Sequence, residues 1–155
     1  MTRILRPTAL LFALSILPGL AAAAGLVLHD PWVREAPPMA SMLAGYVTIE
    51  NTGAKAEAIV SASSPAFGDV EIHRTIIKDG MARMIKQDRL VIPAHGKMVL
   101  APGGYHLMMM MPKRPLHAGD TVEVTLSLEN GQKITTTMPV RKANDGDGMH
   151  MNMPH

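Results

Sequence analysis

The sequence predicts an all-β domain, an antiparallel β-sandwich followed by a flexible C-terminal tail. Three observations carry this. The run Val122-Glu123-Val124-Thr125-Leu126-Ser127-Leu128 alternates apolar and polar residues without a break, the pattern of a half-buried strand. The chain of 155 residues holds 13 Gly and 12 Pro, clustered between short apolar runs, which suits turns and not long helices. No segment sustains a helical period, and no internal repeat is present.

Taken in order, residues 1–24 read as a cleavable signal peptide. Arg3 and Arg6 form a positive start, Leu10 to Leu20 is apolar, and Ala21 to Ala24 supplies the small residues of a cleavage site. The apolar run is too short to span a bilayer comfortably, so the expectation is an exported, periplasmic protein with no membrane span after cleavage. Residues 25–141 form the domain. Its strand candidates are Leu26–Arg34, Gly45–Glu50, Ala58–Ala62, Val70–Ile77, Met81–Ile85, Lys97–Leu100, Tyr105–Met110, Val122–Leu128 and Lys133–Val140. Turn signals separate most of them, including Asn51-Thr52-Gly53, Lys78-Asp79-Gly80 and Pro102-Gly103-Gly104. Asn130-Gly131 reads as a two-residue hairpin turn. Short strands at this spacing argue for a sandwich or barrel. Residues 142–155 lose the pattern and read as a flexible Met/His-rich tail.

Composition excludes several functions. There is no Cys, hence no disulfide framework, thiolate zinc site, iron–sulfur cluster or thiol redox chemistry. The signal segment carries two of the 15 Lys and Arg and none of the 13 Asp and Glu, which leaves the mature chain balanced at 13 against 13. A neutral chain without a basic run gives no support to nucleic-acid binding or to a polybasic membrane patch. No paired carboxylates and no nucleophile–base arrangement stand at a recognisable spacing, so the chain reads as a non-enzyme.

Chemistry concentrates in methionine and histidine. The chain has 14 Met and 7 His. Thioether sulfur is a soft, neutral ligand suited to Cu(I), and imidazole tolerates either copper oxidation state. Methionine also fills cores, and an aromatic-poor chain needs bulk. A single His-x-Met pair, His106-Leu107-Met108, is no more than chance supplies at this composition. Composition alone therefore leaves copper binding and core packing both open. On a strand, His106 and Met108 project from one face, with Met110 beyond them as a spare sulfur at the rim. Tyr105, Leu107, Met109 and Met111 project toward the core. Met98 and Met138 also read as core. A hairpin at Asp79-Gly80 brings Met84 back toward His73. Met39 and Met42 fall near Pro37-Pro38 in an expected loop, with no assigned role. His29, His95 and His117 read as solvated surface residues.

Several stretches together resemble one family, the periplasmic PCuAC-type copper(I) chaperones. They are Asp30-Pro31-Trp32-Val33-Arg34, the run from Ala44 to Gly53, SSPAFGDVEIHRT from Ser63, MARM from Met81, LVIPAHGKMVLAPGGYHLMMM from Leu90, and GDTVEVTLSLENG from Gly119. The family spacing is His, ten residues, Met, twenty-one residues, His, one residue, Met. His73, Met84, His106 and Met108 match it without a gap. The resemblance implies a cupredoxin-like antiparallel β-sandwich of Greek-key type, with Cu(I) held by those four residues. It implies delivery to the copper centres of cytochrome c oxidase, with the oxidase copper-site subunit as partner and Sco-type proteins alongside. It also implies a second copper site in the tail, at Met149, His150, Met151, Met153 and His155. The tail's two histidines accept Cu(II), and its three methionines favour Cu(I). Two other readings stay open: a periplasmic copper buffer or tolerance protein using the same residues, and a metal-free β-sandwich interaction module.

Overall fold

The computed structural model describes residues 25–142. The expected signal peptide and residues 143–155 of the expected tail lie outside the described residues. Ten strands follow in order: β1 (Leu26–Arg34), β2 (Met42–Asn51), β3 (Glu57–Ser63), β4 (Phe67–Lys78), β5 (Met81–Lys86), β6 (Leu90–Ile92), β7 (Lys97–Leu100), β8 (Tyr105–Pro112), β9 (Thr121–Leu128) and β10 (Lys133–Arg141). No helix occurs among the described residues, and none is therefore long and apolar enough to cross a membrane.

Eight strands pair in the ring β4-β8-β7-β2-β1-β10-β9-β3. Where a sandwich was expected, β3 pairs with β4 at Ala62 and Val70 and closes that ring into a barrel. Closure leaves few strand edges with unpaired backbone groups. β5 and β6 stand outside the ring, on β4 and β3 respectively. The pairing is not wholly antiparallel, as expected from the hairpin signals. β1 runs parallel to β10, and β7 touches β8 in parallel at Leu100 and Tyr105. The expected strands all form, several one to four residues longer. β6 is an addition: three residues are too few to show a period in sequence.

The alternation of β9 explains the core. Val122, Val124, Leu126 and Leu128 are buried, as are Val33, Ile49, Ile59, Ile92, Leu107, Met109 and Met138. Met98 packs half-buried against this core. Trp32 and Tyr46 are buried with ring centroids 4.8 Å apart. Two methionines depart from expectation. Met42 lies in β2 and not in a loop. Met111, expected inside, is exposed. Its φ of 53° turns it out of the extended conformation, so the strand's alternation ends there.

The two hairpin signals resolve differently. Asp79 and Gly80 have φ of 53° and 71° and link Lys78 directly to Met81, a two-residue turn with both central residues left-handed. At Asn130-Gly131 only Gly131 has positive φ. The amide of Gly131 donates to the Leu128 carbonyl, and that of Leu128 to the Gln132 carbonyl. The loop is thus three residues, Glu129 to Gly131, in place of the expected two. One extra residue is taken up where Gly131 adopts the left-handed conformation.

Asn51 ends β2 and is fully buried. Its Nδ2 donates to the carbonyls of Lys55 (2.8 Å) and Ile92 (3.1 Å), and its Oδ1 accepts from the Gly53 amide (2.9 Å). One side chain thereby ties β2, the following turn and β6. Asn51→Ala leaves buried groups without partners and is expected to destabilise the domain by about 3 kcal/mol. Urea denaturation checks this: the midpoint should fall with little change in slope. An unchanged midpoint removes the amide from the account of stability.

Candidate metal centre

The site is built by three neighbouring strands, β5, β4 and β8. In register, His73 of β4 stands opposite His106 of β8, and Glu71 opposite Met108. On the other flank Lys86 of β5 stands opposite His73, and Met84 opposite Thr75. Strand side chains alternate between faces, so residues in register, or two apart, share one. Val70, Ile72, Leu107 and Met109 fill the core from these strands. His73, His106, Met108 and Met84 therefore share the opposite, outward face. The two thioethers flank the histidine pair diagonally, one from β5 and one from β8.

The imidazoles face outward yet are largely covered: His73 is 9% and His106 5% exposed. Their ring centroids lie 6.0 Å apart. Each ring has one nitrogen engaged. His73 Nε2 lies 2.7 Å from Glu71 Oε2, and His106 Nδ1 lies 3.2 Å from the Gly104 carbonyl oxygen. An ionised carboxylate and a carbonyl only accept, so these two nitrogens carry the protons and donate. The remaining nitrogens, His73 Nδ1 and His106 Nε2, are buried and have no hydrogen-bond partner. Buried polar atoms are nearly always paired, and two adjacent orphans that both carry lone pairs suit a cation. Their own N–H groups held by acceptors fix the tautomers and the ring orientations.

Electrostatics support the arrangement. Glu71 Oε1 accepts from Lys86 Nζ at 2.6 Å. Lys86, and then His73, hold the Glu71 carboxyl below its usual range, and Glu71 in turn raises Lys86. Glu71 therefore stays an anion and a steady acceptor for His73. Burial pushes the His106 imidazole below its ordinary value. The Gly104 carbonyl opposes this, and His73 adds to it. A neutral His106 keeps its Nε2 lone pair. Among the described residues no three of His, Cys, Asp and Glu gather in a metal-holding group. The donors that neighbour the two imidazoles in register on this face include the thioethers of Met84 and Met108, and thioether sulfur favours a soft ion.

The structure brings together His73, Met84, His106 and Met108 on one face; Met84 is the outlier in burial, at 59% exposed. Met110 is half-buried on the same face. His29, His95 and His117 are exposed and remote in register from this group. Met149, His150, Met151, Met153 and His155 lie outside the described residues. Sequence reasoning did not single out Glu71 or Lys86. The available signal was Glu71 two residues before His73 on an alternating strand. A carboxylate so placed is common on any solvated face, so it gave no warning.

The family model described as "Putative lipoprotein LpqE-like" matches residues 26–140. "Putative lipoprotein Lxx21020" of Leifsonia xyli subsp. xyli is 34% identical over 120 residues, covering 77% of this chain and 71% of that protein. "Uncharacterized protein RP573" of Rickettsia prowazekii is 35% identical over 131 residues, covering 81% and 71%. The solution structure of CuI-DR1885 from Deinococcus radiodurans has a TM-score of 0.64 at 32% identity, covering 79% of this chain and 83% of that one. The copper-bound PCuAC domain from PmoF2 superposes with a TM-score of 0.66 at 20% identity, covering 78% and 96%, a likeness of fold. Fold and site thus define a closed β-barrel domain that displays imidazoles and thioethers on one outer face. The chain belongs to the LpqE-like family.

Proposed function

We propose that this protein is an extracytoplasmic copper carrier, a cupredoxin-like domain that holds one Cu(I) on His73, Met84, His106 and Met108. The observation that carries the reading is the pair of buried, partnerless nitrogens, His73 Nδ1 and His106 Nε2, beside two thioethers. Four neutral donors keep the monovalent charge of the ion, so nothing on the site must be protonated to exchange one ligand at a time. Met84 is the most exposed of the four donors. The Glu71 carboxylate on this face is engaged in orienting His73, in keeping with a carrier and not a catalyst.

The expected acceptor is the copper-site subunit of cytochrome c oxidase, with Sco-type proteins as companions. Export by the signal peptide at residues 1–24 places the carrier in the periplasm. The tail residues Met149, His150, Met151, Met153 and His155 add a second, weaker site that takes Cu(I) or Cu(II).

Transfer is the test. The full chain and a chain ending at Lys142 are loaded with Cu(I) and mixed with an apo oxidase copper domain. Both should metallate it, and the shortened chain should carry one copper fewer. Tight binding without transfer would favour the buffering role. Equal stoichiometry in the two chains would remove the tail.

A further inference from the structure

The outer face of β8 carries more sulfur than a four-residue site uses. Beyond Met108 on the same face stands Met110. Across the β2–β8 pairing, Met42 is the direct partner of Met110, and Ala44 the partner of Met108. Directly opposed residues on one face have Cβ atoms about 5 Å apart, and diagonal neighbours lie about 7–8 Å apart. Met42, Met108 and Met110 are therefore mutual neighbours. Ala44, which is small, leaves the space beside Met108 open toward Met42. Unbranched methionine chains, each with three rotatable bonds, can bring their sulfurs to a common point.

Packing does not account for this group. Met42 is 49% exposed, and Met108 and Met110 are half-buried, while the core beneath is filled by Leu43, Leu107 and Met109. The charged side chain in register with Met110 is Asp69 of β4, a hard oxygen donor that is a poor match for a soft ion. What remains is a row of donors along one strand face: His106, Met108, Met110, with Met42 beside the last.

We propose that Met42 and Met110, with Met108 as pivot, form a separate thioether station for Cu(I) that loads and unloads the two-imidazole site. The inference rests on the carrier reading above. Cu(I) first meets the exposed Met42 and the adjacent Met110. Met108 then joins, and His106 and His73 replace the outer sulfurs. Every ligand exchanged is neutral, so no proton and no electron moves with the ion. The station holds copper more weakly than the histidine pair, because it offers thioethers alone.

Methionine ε-methyl resonances of the full chain, followed during anaerobic Cu(I) titration, test this directly. The first equivalent should shift the Met84 and Met108 methyls. Further equivalents should shift Met42 and Met110, at an affinity at least about tenfold weaker. In Met42→Leu/Met110→Leu, the first-equivalent affinity should stay within about threefold. Copper uptake from a Cu(I) chelator should slow by about tenfold. Unmoved Met42 and Met110 methyls in the unmodified chain, or an unchanged uptake rate in a folded double variant, would overturn the station. Unmoved Met84 and Met108 methyls at the first equivalent would instead overturn the carrier site itself.

Discussion

Replacing His106 or His73 by alanine should lower Cu(I) affinity by at least about 100-fold, the upper end of what losing a mere supporting partner costs a metal site. Each substitution deletes one of the two buried, partnerless nitrogens on neighbouring residues of β4 and β8. The surviving thioethers hold the ion without an imidazole opposite. His95→Ala should change nothing, since His95 sits exposed in a turn. Competition with a Cu(I)-specific chelator at neutral pH gives the ranking, and thermal denaturation checks that each variant is folded. Affinities within about threefold of the unmodified protein for both histidine variants would move the site elsewhere. Met84→Leu should cost less than Met108→Leu, because Met84 is held only by the outer strand β5.

Acid should release the ion, gradually and incompletely. A nitrogen must be unprotonated to coordinate, so protons compete with copper. For an imidazole at the ordinary value of about 6.5, the loss between pH 7 and pH 5 is about 25-fold. His106 lies below that value because burial disfavours its charged form, so its share is smaller and begins at lower pH. The dependence should therefore reflect two protons at most, and the thioethers, which do not titrate, should retain residual binding. Folding has the same sign. The folded-state value of His106 is depressed, so the unfolded chain takes up its proton first as pH falls. The stability contributed by neutral His106 is complete above about pH 6.5. It is lost as pH falls from there through the lower folded value. Chelator competition from pH 8 to 5, and melting of the apo protein over the same range, measure both. A flat affinity profile would show that imidazole is not a ligand.

The strands were legible where one face was wet and the other dry. β9 shows this best: its four buried positions recur at every second residue, and no helix can match that period. β6 was not legible because Leu90, Val91 and Ile92 are a bare apolar triplet. The closed ring was invisible for another reason. It depends on β3 meeting β4 through the single pair Ala62 and Val70, and no local pattern encodes a pairing between strand ends. At Asn130-Gly131 the dipeptide announced a turn but not its length. For the proposed site, the four fixed offsets singled out His73, Met84, His106 and Met108, and register puts these four on one face. What spacing did not convey was orientation. Which nitrogen of each ring is free depends on Glu71 and on the Gly104 carbonyl, neither of which is a metal-type residue at a telling distance. Met42 was missed because its significance comes from a partner on β8, sixty-eight positions later in the chain.

The β4–β5 hairpin gives the site two grades of permanence. His106 and Met108 belong to a strand paired on both sides, so their backbone amides exchange with solvent only when the barrel itself comes apart. β5 is paired to β4 alone, and all six of its residues are exposed. Such a strand frays at a small fraction of the free energy of global unfolding. In the proposed carrier, each opening of β5 would withdraw Met84 from the ion and leave the other three donors in place. The loss of that one donor would then be timed by the breathing of a six-residue strand, independently of how stable the barrel is.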